Sequence, residues 1–344
     1  MSSATITLSD ILAQTSRAKA ITSAKVKDIR TVTSKLRILA LNALIEAKHA
    51  GEKGAGFSVV ADEVRAISAE VEGLARDLSH EIVNLDTLTQ DMASATQGAR
   101  LTDLALNAIE LIDRNLYERT CDVRWWATDS ALWQALTAAT PDSLNYAARR
   151  LGVILDSYTV YLDLWLCTPD GRIIANGRPD RYHVQGQSVQ SRDWFNRALT
   201  LRSGQDFAVA DITTEPLLGN AQVATYATGV RRDGDPAGEL LGILGIQFDW
   251  HPQAKGITEG ARLSDEERSR TRVLLVDASG LVIAASDGKG ILSERLRIDS
   301  GGRASGHYVD SFTGNLIAFH RTPGYETYAG LGWYGVILQS AAQI

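Results

Sequence analysis

A seven-residue repeat of apolar side chains runs through about the first 95 residues, a stretch without proline, tryptophan or tyrosine. One register passes through Leu8, Ile11, Ala18, Ile29, Val32, Leu36, Leu39 and Ala43, interrupted at Thr15, Thr22 and Lys25. A second passes through Phe57, Val60, Val64, Ile67, Val71, Leu74, Leu78, Leu85, Leu88 and Met92, interrupted at Glu81. Spacing of 3.5 residues keeps one stripe facing a partner only if the helices supercoil. Between the registers lies Gly51-Glu-Lys-Gly54-Ala-Gly56, a helix stop followed by a restart. The pattern predicts an antiparallel helical hairpin with arms on the order of 60 Å long, at 1.5 Å rise per residue. So thin a hairpin cannot cover both apolar stripes, and dimerisation into a four-helix bundle is expected.

Beyond residue 97 the periodicity changes. An apolar-periodic helix runs from Leu101 to Leu116. Helical patterns continue past Trp125, Trp126 and Trp133, and from Leu144 to Leu155. Trp125 and Trp126 are expected where this connecting helix packs onto the first globular module. Tyr161–Leu166, a turn at Asp170-Gly171 and Ile173–Ala175 then read as a β-hairpin. The same grammar returns at Val273–Leu275, Ser279-Gly280 and Leu281–Ala284. Two further strand candidates come after each copy: Val223–Val230 and Leu240–Phe248, then Leu316–His320 and Trp333–Gln339. The repeat predicts two tandem α+β modules rather than one large sheet. Asp265-Glu-Glu-Arg268, preceded by Ser264, reads as an N-capped surface helix.

Composition narrows the function classes. With 35 basic and 41 acidic residues the net charge is −6, against nucleic-acid binding. No run approaches the ~18 apolar residues of a membrane-spanning helix, and the N-terminus lacks the apolar core of a signal peptide. Cys121 and Cys167 supply neither a disulfide framework nor a cysteine zinc site. The six histidines are scattered without metal-ligand spacing. Gly51-x-x-Gly54-x-Gly56 lacks the strand and the Gly-Lys-Ser/Thr of a phosphate loop, and Gly186-Gln-Ser188 lacks the closing glycine of a nucleophile elbow. These readings lead us to expect a soluble, cytoplasmic protein that is not an enzyme and uses no cofactor or metal.

Residues 38–65, ILALNALIEAKHAGEKGAGFSVVADEVR, carry the most information. They strongly resemble the signalling tip of methyl-accepting chemotaxis receptors. The resemblance implies that Leu41, Asn42, Ile45 and Glu46 lie near the hairpin tip where receptor dimers meet. It likewise implies that Glu52, Gly54, Val59 and Val60 lie in or beside the surface used by a histidine kinase and its coupling protein. The implied partners are a second copy of the chain, other chemoreceptors, the kinase and the coupling protein. The chain departs from the family pattern at Ser34, Arg37, His49 and Ala55, losing an aromatic anchor and hydrogen bonds between dimers. The paired Glu or Gln sites at which the family is methylated have no counterpart before Ser34 or between Arg65 and Gly98.

From about residue 97 the chain resembles a double Cache sensor, a long helix followed by two PAS-like modules. Val189-Gln-Ser-Arg192-Asp-Trp194-Phe195 is similar to the Arg-x-Trp-aromatic signature with which such modules hold ligands. A guanidinium grips a carboxylate bidentately and an indole walls the pocket. The tyrosine and aspartate that hold an ammonium group in amino-acid-binding relatives fall at Val209 and Gln247. The implied ligand is therefore a small carboxylate, with Asp211, Tyr226 and Thr228 lining the same cavity. The alternative is that Trp194 and Phe195 are core and Arg192 caps a helix. The organisation expected is α+β: a signalling hairpin over 1–96, a connecting helix over 97–128 and a double Cache sensor over 129–344. Its first module spans about 129–255 and its second about 265–344. Function is expected to be signal transduction in chemotaxis or a related behaviour. A scaffold that dimerises through the hairpin without signalling is the competing reading.

Overall fold

The computed structural model describes residues 8–340, with side chains described from residue 10; the heptad position at Leu8 thus has its side chain outside the described residues. The chain divides into two compact units, one ending at Gln97 and one beginning at Gly98.

In the first unit, α1 (Leu8–His49) and the start of α2 (Ala55–Trp126) are joined by a 3-10 turn at Gly51–Gly54. The side chains buried between the arms are small and repeat every seven residues. They are Val26, Thr33, Ala40 and Ala47 on α1, then Gly54, Ala61, Ser68 and Ala75. The buried hydroxyls of Thr33 and Ser68 donate to the carbonyls of Ile29 and Val64 one turn back, at 3.0 and 2.7 Å, so neither needs a partner across the seam. Further along, the Lys19 ammonium meets the Asp86 carboxylate at 2.5 Å.

Within the single hairpin this seam is not the pair of large apolar stripes read from the sequence, which were expected to stay partly uncovered. Most large apolar residues of the two stripes lie beside the seam rather than in it, from Leu36 at 40% exposed to Phe57 at 74%. Helices approach closely only where side chains are short, so the alanine-rich stripe takes the interior. Ile29, Val32 and Leu36 with Val64, Ile67 and Val71 instead line an open apolar groove of about 520 Å³.

The second unit begins within α2, at Gly98, and α2 is one 72-residue helix rather than a hairpin arm followed by a separate connector. Helix α3 (Ser130–Ala138) starts at Asp129, whose carboxylate accepts the Ala131 N–H. Helix α4 (Pro141–Ser157) starts with a Thr140–Ser143 capping box and proline in its first turn. The first sheet is formed by β1 (Tyr161–Cys167), β2 (Ile173–Asn176), β3 (Ala208–Val209), β4 (Thr213–Glu215), β5 (Ala221–Arg231) and β6 (Leu240–Asp249). Its order is β2-β1-β6-β5-β3, with β4 also on β5, and α5 (Asp193–Leu199) crosses one face. Helix α6 (Trp250–Glu259) and the short α7 (Asp265–Ser269), capped by Ser264 as its sequence predicts, lead on to the second sheet.

That sheet contains β7 (Thr271–Val276), β8 (Val282–Ala285), β9 (Ser305–Val309), β10 (Leu316–Arg321) and β11 (Tyr334–Gln339), ordered β8-β7-β11-β10-β9. The two orders are the same along their five-strand paths, β4 alone having no counterpart in the second sheet. Even the irregularities recur, since β1–β2 slips register at Leu166/Cys167 and β7–β8 at Leu275/Val276. The glycines of the repeated turn, Gly171 and Gly280, both adopt positive φ, +83° and +87°, which side chains rarely tolerate. Strands β3, β4 and β9, short or at edges, were not legible as periodic runs.

Both sheets are packed on α2. Ile109, Ile112, Leu116 and Val123 meet Leu164, Leu244, Ile246 and Phe248 of the first sheet. Leu101 and Ala105 meet Val273, Ala318 and Ile337 of the second. A Cβ on Gly335 would stand 2.2 Å from the Ala105 carbonyl oxygen, so the helix backbone lies directly on β11 there. Of the paired tryptophans, Trp126 is buried as expected and Trp125 is exposed.

Candidate functional site

The hairpin tip is built by the last turns of α1 and the first of α2. The Ala50 N–H donates to the Glu46 carbonyl at 3.0 Å, and Gly51 follows at φ +58°, ending the helix in the left-handed region. Gly54 is buried, and a Cβ there would stand 2.2 Å from the Ala47 carbonyl oxygen. Gly54 is thus a packing position inside the turn, beside the exposed residues of the tip rather than among them. The other expected tip residues, Leu41, Asn42, Ile45, Glu46, Glu52, Val59 and Val60, are all exposed. Leu41 and Ile45 lie one turn apart on α1; Val59 and Val60 sit beside Phe57 on α2. Branched apolar side chains held in water around the carboxylates of Glu46 and Glu52 make a surface suited to docking a partner.

In the second unit the predicted pocket is only partly assembled. Trp194 and Phe195 on α5 are buried against Trp165, Ile173, Val223, Ala227 and Ile243. The indole lies on the backbone of β6, where a Cβ on Gly245 would be 3.0 Å from its ring. Arg192 occupies the N-cap position of α5 but makes no capping bond with its side chain. Its Nη2 instead donates to Glu215 Oε1 at 2.8 Å. Glu215 is itself buried, and the same oxygen accepts the Leu217 N–H at 3.0 Å. A carboxylate from β4 thus stands at the place expected for a ligand's carboxylate, while about a third of the Arg192 side chain remains in contact with solvent.

The other predicted pocket residues lie elsewhere. Tyr226 points to the opposite face of the sheet from Trp194, into the cluster that packs on α2, because side chains on β5 alternate faces and Val223 and Ala227 take the Trp194 side. The Thr228 hydroxyl donates to the Asp206 carbonyl at 2.6 Å. Asp211 accepts the indole N–H of Trp333 at 3.0 Å and so ties the loop after β3 to the residue that leads into β11 of the second sheet. Trp333 packs edge-on against Trp250, whose own N–H donates to the Ile283 carbonyl at 2.7 Å. Asp211 and Trp333 are therefore a joint between the sheets.

Two polar residues missed by sequence reasoning, Asp163 and Thr225, flank Gln247 in a row on the Trp194 face, side by side on β1, β5 and β6. The Thr225 hydroxyl donates to Gln247 Oε1 at 2.8 Å. Asp163 accepts the Leu164 and Arg178 N–H groups, the Trp165 indole and the Asn176 amide, at 2.8 to 3.0 Å. Burial outweighs these four donors and holds its carboxyl above the ordinary value. The signal was visible, since an aspartate at an inward position of an otherwise apolar strand needs partners.

Together these features define a class by fold: a helical hairpin of the chemoreceptor signalling type followed by paired PAS-like sheets of Cache-like fold. Residues 2–119 match the family model described as the methyl-accepting chemotaxis protein (MCP) signalling domain. Among curated relatives, McpS of Pseudomonas putida is 46% identical over 76 residues, 22% of this chain and 12% of that protein. McpQ of Pseudomonas putida is 41% identical over 87 residues, 25% of this chain and 13% of that protein. The chain thus spans about an eighth of the length of these relatives. Among solved structures, the ligand-binding domain of the Pseudomonas aeruginosa PAO1 amino acid chemoreceptor PctC, in complex with GABA, aligns with a TM-score of 0.52 at 17% identity, covering 70% of this chain and 99% of that one. The sensor domain of the V. cholerae histidine kinase DctB aligns with a TM-score of 0.50 at 13% identity, covering 75% and 98%. At such identities the likeness is one of fold. No described helix is long and apolar enough to cross a membrane.

Proposed function

We propose that this protein is a chemoreceptor-like transducer in the cytoplasm. Its sensor unit binds a small carboxylate, and its hairpin, dimerised with that of a second copy, modulates a histidine kinase together with a coupling protein and neighbouring chemoreceptors. It performs no catalysis, needs no cofactor and binds no nucleic acid. The observation that carries the reading is the tip, where Leu41, Ile45, Phe57, Val59 and Val60 are held in solvent around Glu46 and Glu52 although nothing in the hairpin's own stability calls for it. Arg192 supports the ligand class, because its partly open guanidinium has donors beyond the one engaged by Glu215. Helix α2 supports the route, because it is both the second arm of the hairpin and the helix on which both sensor sheets pack. A ligand that binds two placements of α2 with affinities differing by ~1.4 kcal/mol changes their ratio tenfold.

The scaffold reading is favoured by Ser34, Arg37, His49 and Ala55, exposed positions where the family pattern carries groups that join dimers. One experiment separates the two. Autophosphorylation of the cognate kinase, with its coupling protein, is expected to change rate severalfold when the full chain is added, and the change is expected to vanish with Glu52→Arg. A folded, dimeric chain that leaves the rate unaltered would establish the scaffold.

A further inference from the structure

Helix α6 and the edge of the second sheet enclose a cleft of about 290 Å³ in the sensor unit. One face of α6 supplies His251, Ala254, Lys255, Thr258 and Glu259; residues 283–288 of β8 and the turn after it form the opposite wall. Gln222 of β5 reaches in from the first sheet, and its Oε1 is buried without a hydrogen-bond partner among the described residues. A buried acceptor left in this state calls for a donor. Lys255 has its acidic neighbour Glu259 one turn along the same helix at 3.9 Å, beyond hydrogen-bond distance, so its ammonium donors remain available to a ligand. The carboxylate of the far wall, Asp287, is already held by Arg272 at 2.9 Å and by the Lys289 N–H at 3.2 Å. The cleft therefore offers the Lys255 ammonium, the Glu259 carboxylate beside it and an orphaned acceptor over a floor of Ala254, Ile283 and Ala284.

We propose that this cleft is a second ligand site of the sensor, taking a small hydroxylated carboxylate whose carboxylate meets Lys255 and whose hydroxyl donates to Gln222 Oε1. The proposal rests on the reading of this unit as a small-molecule sensor, but not on Arg192. Its placement also supplies a readout. The other face of α6, at Gly256 and Ile257, looks across a groove of about 590 Å³ onto Leu104, Ala108 and Leu111 of α2. A Cβ on Gly256 would meet nothing within 4 Å, so α6 has room to move on that side. A ligand drawn between α6 and β8 thus repositions α6 against the helix that enters the signalling hairpin.

The test is calorimetric titration of the full chain with L-malate, L-lactate, succinate and L-serine. Malate or lactate is expected to bind, and succinate, which lacks the hydroxyl, at least tenfold more weakly. Lys255→Ala and Gln222→Leu are each expected to weaken binding tenfold or more, with Lys255→Gln as a milder companion and circular dichroism confirming the fold. The binding that depends on Lys255 and Gln222 is expected to persist in Arg192→Ala, which removes only carboxylate binding at α5. Loss in Arg192→Ala alone overturns the site while sparing the sensor reading. A preference for serine, or no binding of any of the four, overturns it as well, and the kinase assay without added ligand then tests the transducer reading independently.

Discussion

Single residues carry more of this structure than their chemistry in the sequence suggests. Gly54 looks like an accommodating turn residue, yet its hydrogen faces the Ala47 carbonyl, and any Cβ there lands on backbone that cannot swing aside. Gly54→Ala is expected to destabilise the hairpin by about 1–3 kcal/mol, the usual scale for overpacking, read as a lowered helix-unfolding midpoint in denaturant. Glu267 is a second case. The Arg100 guanidinium hydrogen-bonds to it and pulls its carboxyl from the ordinary 4.5 down to about 2, clamping α7 to α2 within the second unit. A lowered pKa in the folded state contributes stability above the unfolded value and loses it as pH falls through the folded one. The melting-temperature gap between the protein and Glu267→Gln should therefore be full at pH 7 and shrink steadily below about pH 4.5; a gap that widened on acidification would sink this assignment. Asp211 and Tyr226 show why residue-level reasoning misplaced the pocket. Both have pocket-like chemistry, but one is taken by an indole from the other sheet and the other faces the wrong side of its own.

At the scale of elements, helix and strand identities were legible because they rest on local periodicity. The twin β-hairpins at Asp170-Gly171 and Ser279-Gly280, the long strands β5 and β6, and the Ser264 cap all stand where their patterns put them. The seam of the hairpin was not legible. A heptad stripe shows that helices pack, but a chain with two parallel stripes, one of large residues and one of small, does not say which faces inward. Closeness decides it, since Ala40, Ala61, Ser68 and Ala75 let the arms approach and leave Leu36, Leu74 and Leu78 outside. Ala61→Leu should accordingly cost about 1–3 kcal/mol in hairpin stability by overpacking, whereas Leu74→Ala should cost far less in a lone hairpin. Thermal unfolding at protein concentrations low enough to suppress association tests both, and equal losses would refute the small-residue seam.

At the scale of the molecule, the large apolar residues excluded from the seam make association the expected state. Sedimentation equilibrium should find a dimer at micromolar concentration, and replacing Leu39, Leu74 and Leu85 together by serine should shift it towards monomer with helix content retained; an unchanged dimer would place the interface elsewhere. What the sequence determined by itself were the local facts: an antiparallel helical hairpin, a duplicated β-hairpin, a pair of α+β modules, and a tip rich in exposed apolar and acidic groups. Each arises from residues within a few turns or a few strand positions of one another. What only the tertiary structure decided were the pairings over long separations: Arg192 with Glu215, Asp211 with Trp333, and Gln222 brought to α6 and β8. A side chain's partner depends on which face of which sheet it meets after folding, and that is set by strand order and close packing, which periodicity does not encode.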